Sequence, residues 1–201
     1  MADTSWQGDV SVFAFDIVGY SKLTDEDQVE FKGTTEDCLE KASRKAEKIR
    51  EQEWTSWADA GDGGYLLMGG DPRKALEVLE AFVGLIERHN NKSLPKYRVE
   101  LRYALNYGPV YSENGRLTGS AINDCARLLD GMTRYKESTG RVVASGAYKA
   151  KVLEFGQVLE GLFSRLADIK DKHDNAHEVW NVRKLPGYGR EPAPEDLHDP
   201  R

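Results

Sequence analysis

Only two of the 201 residues are cysteine, and Cys38 and Cys125 are far apart with no CxxC spacing. That excludes a disulfide framework and a thiolate metal cluster, and both residues are expected as small core side chains in a reducing compartment. No run approaches the roughly 18 apolar residues of a membrane span, and the N-terminal MADTSWQGDV has neither the basic nor the apolar region of a signal peptide. A cytoplasmic protein with no membrane partner is therefore expected. Positive charge is short as well: 28 Lys and Arg face 34 Asp and Glu, a net charge of −6, which argues against stable binding to nucleic-acid phosphates. Internal repeats and low-complexity segments are missing from the body. What remains, 39% hydrophobic and 31% charged, is the composition of one soluble domain with its own core.

Against that background the stretch VFAFDIVGYSKLT at 12–24 stands out, because an apolar run delivers one aspartate, Asp16, and continues through Ile17 and Val18 to Gly19. An ionised carboxylate in apolar surroundings is costly unless a positive charge meets it, so Asp16 either ends its strand or binds a cation. A second acid, Asp62, lies in ADAGDGGYLLMGG, where glycines separate two short β-like runs and predict a hairpin with Asp62 at its tip.

The rest of the chain interleaves strands and helices. Val10 to Phe15 predict a strand. Thr24 followed by Asp25, Glu26 and Asp27 predicts a helix N-cap, and Val29, Leu39, Ala42, Ala46 and Ile49 give that helix a buried stripe ending near Gln52. Pro72 opens a second helix whose core face is Ala75, Leu76, Leu79, Phe82, Val83 and Ile86. A strand from Arg98 to Asn106 is expected to break at Gly108-Pro109. After it come a helix from Gly119 to Met132, a strand at 142–145, a short helix, and strand candidates at Phe155–Glu160 and Glu178–Val182. The tail from Pro186 is rich in proline and charge and is expected to be unfolded, leaving residues 1–185 as the domain. Hairpins mixed with crossovers imply an α+β sandwich of ferredoxin-like type, its sheet covered on one face.

Asp16 and Asp62 are 46 residues apart, yet each ends a strand and each is followed by a glycine that lets the backbone approach a ligand. If their strands pair, the carboxylates converge, and a divalent ion relieves their repulsion. Hard oxygen ligands favour Mg²⁺ or Mn²⁺, with positions left for phosphate oxygens. The amides of Val18, Gly19, Tyr20 and Ser21 would then meet a triphosphate at a helix start. Spacing alone leaves the other reading open, in which Asp16 caps its turn and Asp62 is an ordinary hairpin aspartate.

Five segments in order resemble the class III nucleotidyl cyclase catalytic domain over roughly residues 10–183. FAFDIVGYSKLT is similar to the family's first metal motif and AGDGGYLLMGG to its second. RYALNYGPV at 102–110 resembles the central strand and its turn, GSAINDCARLL at 119–129 the GxxVNxAxRL helix, and IKDK at 169–172 the VKGKG stretch. The resemblance implies a mixed, mostly antiparallel sheet with helices and two metal ions held by Asp16, Asp62 and the carbonyl of Ile17. It also implies attack of the ribose 3′-hydroxyl on the α-phosphate with release of diphosphate. Asn123 would orient the ribose, Arg127 would stabilise charge on the α-phosphate, and Lys170 or Lys172 would grip the phosphates. Asn123 as a surface amide and Arg127 as half of a salt bridge with Asp124 or Asp130 are the plainer alternatives. Because the family draws the aspartates from one subunit and the asparagine and arginine from the other, a head-to-tail homodimer is implied.

The same resemblance gives positions for reading the base. Four residues before Asp62, where adenylate cyclases carry lysine and guanylate cyclases an acid, stands Ala58. Seven before Asn123, where adenylate cyclases carry aspartate, stands Arg116. A pure donor at 116 suits a carbonyl such as uracil O4, and Trp57 with Trp54 could fill the space beside a single-ring base; the plainer alternative makes Trp54 and Trp57 core aromatics and Arg116 a solvated loop residue. The chain thus resembles the pyrimidine cyclases of the bacterial Pycsar antiphage system, which implies UTP as substrate and cyclic UMP as a diffusible messenger to a separate effector. Cyclic CMP, a conventional adenylate or guanylate cyclase, and an inactive nucleotide-binding dimer are the alternatives.

Overall fold

The computed structural model describes residues 6–47, 55–113, 116–133, 140–166, 168–170 and 176–183. Its centre is a long strand, β1 (Trp6–Ile17), whose residues from Val10 to Phe15 are all buried. α1 (Asp25–Glu47) follows a short turn at Tyr20–Lys22, and the hairpin of β2 (Thr55–Asp59) and β3 (Gly63–Met68) then folds antiparallel onto β1. α2 (Arg73–Lys92) leads to β4 (Leu101–Glu113), which pairs along the whole of β1, and to the short β5 (Arg116–Thr118). α3 (Ser120–Met132), β6 (Val142–Ser145), α4 (Gly146–Leu153), β7 (Phe163–Arg165), β8 (Ile169–Lys170), β9 (Ala176–His177) and β10 (Val179–Val182) complete it. The main sheet has the order β2-β3-β1-β4-β6-β10-β7, with β5 on β4, and only β4 and β6 run parallel. The expected α+β class with a mostly antiparallel sheet is the one observed.

Both faces of that sheet are buried, which corrects the expectation of one covered face. Phe13, Phe15 and Ile17 of β1 pack with Phe31 and Leu39 of α1, Leu79 and Phe82 of α2 and Tyr148 of α4. Val10, Val12 and Ala14, the alternate residues, pack instead with Ala121, Cys125 and Leu128 of α3. A strand covered on both sides must be apolar at successive positions, which is why the run at 10–15 does not alternate in polarity. Small residues make the second layer possible: Ala14 and Ala104 are fully buried beneath α3, and the Cys125 thiol lies 3.4 Å from the Ala104 carbonyl.

Two further boundaries differ from expectation. β4 runs straight through Gly108-Pro109. Proline is tolerated there because β6 pairs only with Tyr103–Leu105 and β5 only from Tyr111 onward, so Pro109 needs no donor on that side. Residues 155–160 form no strand; Gln157–Leu162 is a 3-10 turn with Val158 exposed, and the strand starts at Phe163, where the chain reaches the core. The β10 strand falls where it was expected. The end of α1 near Gln52 and the tail from Pro186 lie outside the described residues. Among the described residues no helix is long and apolar enough to cross a membrane.

Candidate active site

Asp16 and Asp62 meet where β1 runs out. Asp16 pairs with Gly63 in the ladder, and the amide of Ile17 donates to the Asp62 carbonyl at 2.8 Å, so the hairpin tip is fastened to the strand end. The tip is itself closed: the Gly61 amide donates to Asp59 Oδ1 at 2.8 Å, the Ala60 amide donates to the Gly63 carbonyl at 3.1 Å, and Gly61 has φ +90°. Glycine at 63 is required by the approach of the two strands, because a Cβ there would lie 2.0 Å from the Phe15 carbonyl oxygen. The Asp62 side chain stands in solvent, whereas that of Asp16 is only 16% exposed.

The partner of Asp16 is Arg102, directly across the ladder on β4. Its Nε donates to Asp16 Oδ1 at 2.9 Å and its Nη2 to Oδ2, a two-point ion pair with both side chains largely covered. Burial pushes the Asp16 carboxyl above its ordinary value, against the hydrogen bond and charge of Arg102, and the neighbouring Asp62 pushes the same way. Arg102 was missed in the sequence. The signal was present: a buried carboxylate on one strand calls for a cation on its neighbour, and Arg102 is the charged residue of the β-like run RYALNYGPV.

The turn after Asp16 is preorganised. Gly19 takes φ +72°, the Lys22 amide donates to its carbonyl at 2.9 Å, and the Gln28 side chain donates to the carbonyls of Tyr20 and Leu23 at 3.3 Å. Thr24 caps α1 as expected, accepting from the Asp27 amide at 3.2 Å. Val18, Gly19, Tyr20 and Ser21 therefore form a fixed bend beside the two acids.

The other predicted residues sit elsewhere. Gly119, whose Cβ would lie 2.4 Å from the Pro109 carbonyl oxygen, seats the start of α3 on β4. Asn123 is exposed, and Arg127, one turn on, is half-exposed and paired with Asp124 at 2.7 Å. Arg116 is exposed at the far end of the sheet: its ladder partner Glu113 is eleven residues along β4 from Arg102, roughly 36 Å at about 3.3 Å per residue. Lys170 belongs to β8, paired with Ala176, while Lys172 and Trp54 lie outside the described residues. Trp57 follows its plainer alternative: its ring stacks on Phe15 at 5.6 Å, on the sheet face opposite Asp16. A Cβ on Gly64 would collide with that ring at 2.1 Å, so the cross-strand glycine makes room for it in the core. Ala58 does share the face of Asp16, opposite Tyr65 on β3.

No protein-family model matches the chain, and no curated protein matches its sequence. Solved structures do match. An adenylate/guanylate cyclase/hydrolase from Silicibacter pomeroyi superposes with a TM-score of 0.64 at 20% identity, covering 89% of this chain and 98% of that one. A bacterial light-regulated adenylyl cyclase gives 0.68 at 15% identity over 89% of this chain and 53% of that one. The guanylate cyclase domain from Catenaria anguillulae, solved with GTP, gives 0.56 at 19% identity over 90% and 100%. The chain has the class III nucleotidyl cyclase fold.

Within that fold the acids at the end of β1 suit the divalent ions that class III cyclases use. Among the described residues no three of His, Cys, Asp and Glu gather in one place, so an ion at Asp16 and Asp62 has two carboxylates and backbone oxygen to bind. Such a sparse oxygen set leaves coordination positions for phosphate oxygens, which is how Mg²⁺ is ordinarily held beside nucleotides. Both Asp16 oxygens already accept from Arg102, so an ion there would share the carboxylate's remaining lone pairs with that guanidinium, and its charge would further offset the burial that raises the Asp16 carboxyl.

Proposed function

We propose that the chain is a metal-dependent nucleotidyl cyclase that converts UTP to 3′,5′-cyclic UMP and diphosphate. The observation that carries the cyclase reading is the convergence of Asp16 and Asp62, fastened through the Ile17 amide, at one end of β1. Two ions, Mg²⁺ or Mn²⁺, would be held by Asp16, Asp62 and the Ile17 carbonyl, supplying positive charge to acidify the 3′-hydroxyl and neutralise the triphosphate. The Val18 amide is spent on the Glu100 carbonyl at 2.9 Å, so the bend offers phosphate oxygens the amides of Gly19, Tyr20 and Ser21.

The reaction joins the 3′-oxygen to the α-phosphorus; the hydroxyl proton passes to solvent, and the bond from the α-phosphorus to the oxygen bridging to the β-phosphate breaks, with diphosphate leaving. Asn123 orients the ribose, Arg127 leaves Asp124 to meet charge at the α-phosphate, and Lys170 or Lys172 holds the leaving phosphates. Arg116 is too far along the sheet to serve the acids of its own chain, which supports a head-to-tail homodimer with two equivalent sites. In that assembly Arg116 donates to uracil O4, beside an alanine at 58 that cannot contact a purine amine or guanine N–H. The product is a diffusible messenger, and its reader is a separate effector in antiviral defence.

A conventional purine cyclase is the second reading. It is favoured by the matching solved structures, which are named as adenylate and guanylate cyclases, and by Trp57, whose ring packs on Phe15 in the core and so does not brace a single-ring base. Purified protein incubated with ATP, GTP, CTP and UTP in Mn²⁺, with products read by mass spectrometry, decides between them. Cyclic UMP is expected; cyclic AMP or GMP as the main product selects the purine reading.

A further inference from the structure

We infer that Asn106 is a positioning residue for the reaction: its buried carboxamide sets how α3 sits on β4, and so where Asn123 and Arg127 stand. This rests on the cyclase reading and deepens it. Asn106 is 3% exposed and follows the buried Tyr103, Ala104 and Leu105 in β4, a place where an amide is costly unless both its ends are bonded. Nδ2 donates to the Ala121 carbonyl in the first turn of α3 at 2.9 Å, and Oδ1 accepts from the Ser145 hydroxyl at 2.5 Å. The Ser145 oxygen also accepts from the Tyr148 amide at 3.0 Å and so caps α4. Because a carbonyl can only accept, the end of the carboxamide that faces Ala121 must be its NH₂.

The start of α3 has little else to fix it. Its N-cap is Gly119, which has no side chain to close the first turn, and Ala121 is the one fully buried residue of that turn. Beneath it the sheet presents Ala14 and Ala104, and Cys125, one turn on, adds a weak thiol bond to the Ala104 carbonyl at 3.4 Å. The larger Leu128 and Met132 come about two and three turns further along. Small apolar surfaces hold one another without direction, whereas a hydrogen bond is directional, so the bond from Asn106 is what resists a roll of this end of the helix about its axis. Asn123 follows Ala121 by two residues and Arg127 by six, which at about 100° per residue puts both on the side of α3 away from the sheet. A roll of about 10° would carry a side-chain tip about 5–6 Å from the axis through about 1 Å. A misplacement of that size can lower a rate about 100-fold.

The test compares the wild type with Asn106→Leu, which keeps the volume and loses both bonds, and with Ser145→Ala, which removes the other arm of the network and keeps the bond to Ala121. In a Mn²⁺ assay with the preferred nucleotide, kcat of Asn106→Leu should fall about 10- to 100-fold. Ser145→Ala should unfold at a lower temperature for want of its α4 cap, yet keep kcat within about threefold of the wild type. When Asn106→Leu is combined with Arg127→Ala, the loss should be about 10-fold or more smaller than the product of the two single losses, because one residue acts through the other. A kcat loss in Ser145→Ala as large as in Asn106→Leu, or losses that multiply, would make Asn106 a core amide only and overturn the inference. Should Asn106→Leu not fold, Asn106→Ser, whose hydroxyl is too short to reach α3, is judged by the same two comparisons. A wild type that makes no cyclic product from any of the four nucleotides refutes the cyclase reading, and hydrogen exchange of the α3 amides then still judges the hold of Asn106 on the helix. Exchange about 10-fold or more faster in Asn106→Leu, with the α2 amides unchanged, upholds that hold, and equal rates overturn it.

Discussion

Phe13 and Ala14 are adjacent in sequence and stand on opposite sides of the same sheet, in very different company. On the side of Phe13 the sheet meets three helices through large aromatic rings. Phe82 of α2 lies 5.8 Å from Phe13, 5.0 Å from Phe15 and 6.0 Å from Tyr103, and Trp57 stacks on Phe15. On the side of Ala14 the sheet residues are aliphatic, a single helix covers them, and the next row along β1 holds Asp16 and Arg102. One face is packed with rings; the other, also buried, ends at the Asp16–Arg102 ion pair. Because the strand period is two residues, the same short stretch supplies both, and a one-residue slip in register would exchange them.

Substitutions should therefore separate the two faces. The largest effect is expected for Asp62→Ala at the end of the face that carries Asp16: cyclase turnover should fall to background in a Mn²⁺ assay while thermal unfolding matches the wild type, since the side chain is exposed. Retained turnover would detach the acids from the chemistry. Asp16→Ala should abolish turnover too, but should also destabilise, because it leaves Arg102 largely covered and without its carboxylate. On the packed face Phe82→Ala should cost about 3–5 kcal/mol in urea unfolding, the usual range for emptying an aromatic site. A loss below about 1 kcal/mol would mean that the ring cluster is not the core it appears from its distances.

Arg127→Ala tests whether α3 belongs functionally with the face that carries Asp16. Turnover should fall about 10²–10³-fold, as for removal of one donor to developing charge. Stability should change by less than about 1 kcal/mol, since its ion pair with Asp124 is exposed on both sides, 41% and 39%. The reverse pattern would make Arg127 a surface salt bridge and nothing more.

How far the sequence foretells this division depends on what each feature needs. Capping at Thr24, the glycine hairpin around Asp62, the stripe on α2 and the two core cysteines follow from local chemistry, and all were legible. The second buried face was signalled only by the failure of the run at 10–15 to alternate; that α3 is what covers it was not legible, because Cys125 reaches Val12 from more than a hundred residues away. Trp57 was left between two readings for a related reason: its proximity in sequence to Ala58 suggested a shared task, whereas adjacent strand residues face opposite ways and its ring lies in the core. Arg102 required the register of β4 against β1, which pattern alone does not fix. The glycines were visible as turn formers, whereas the need for glycine at 63 and 64 arises from tertiary contact with Phe15 and Trp57.

The smallest expected effect concerns the brace that links the two faces at the hairpin tip. Lys32 of α1 pairs with Asp59 Oδ2 at 2.6 Å, while Asp59 Oδ1 accepts from the Gly61 amide in the turn that carries Asp62. The hydrogen bond from Lys32, then the Gly61 amide, holds the Asp59 carboxyl below its ordinary value of 3.8. For an acid with a depressed folded value, the stabilisation is present above pH 3.8 and is lost as the pH falls through that lower value. Asp59→Asn keeps an oxygen for the Gly61 amide and removes only the ion pair. Because both partners are partly in solvent, 29% and 49% exposed, the loss at pH 7 should be only about 0.2–1 kcal/mol and should shrink in molar salt. Urea unfolding of wild type and Asp59→Asn at pH 7 and again near the acid limit checks the sign. A difference that persists in acid would assign the effect to the turn hydrogen bond, and the helix would then have no electrostatic hold on the loop that positions Asp62.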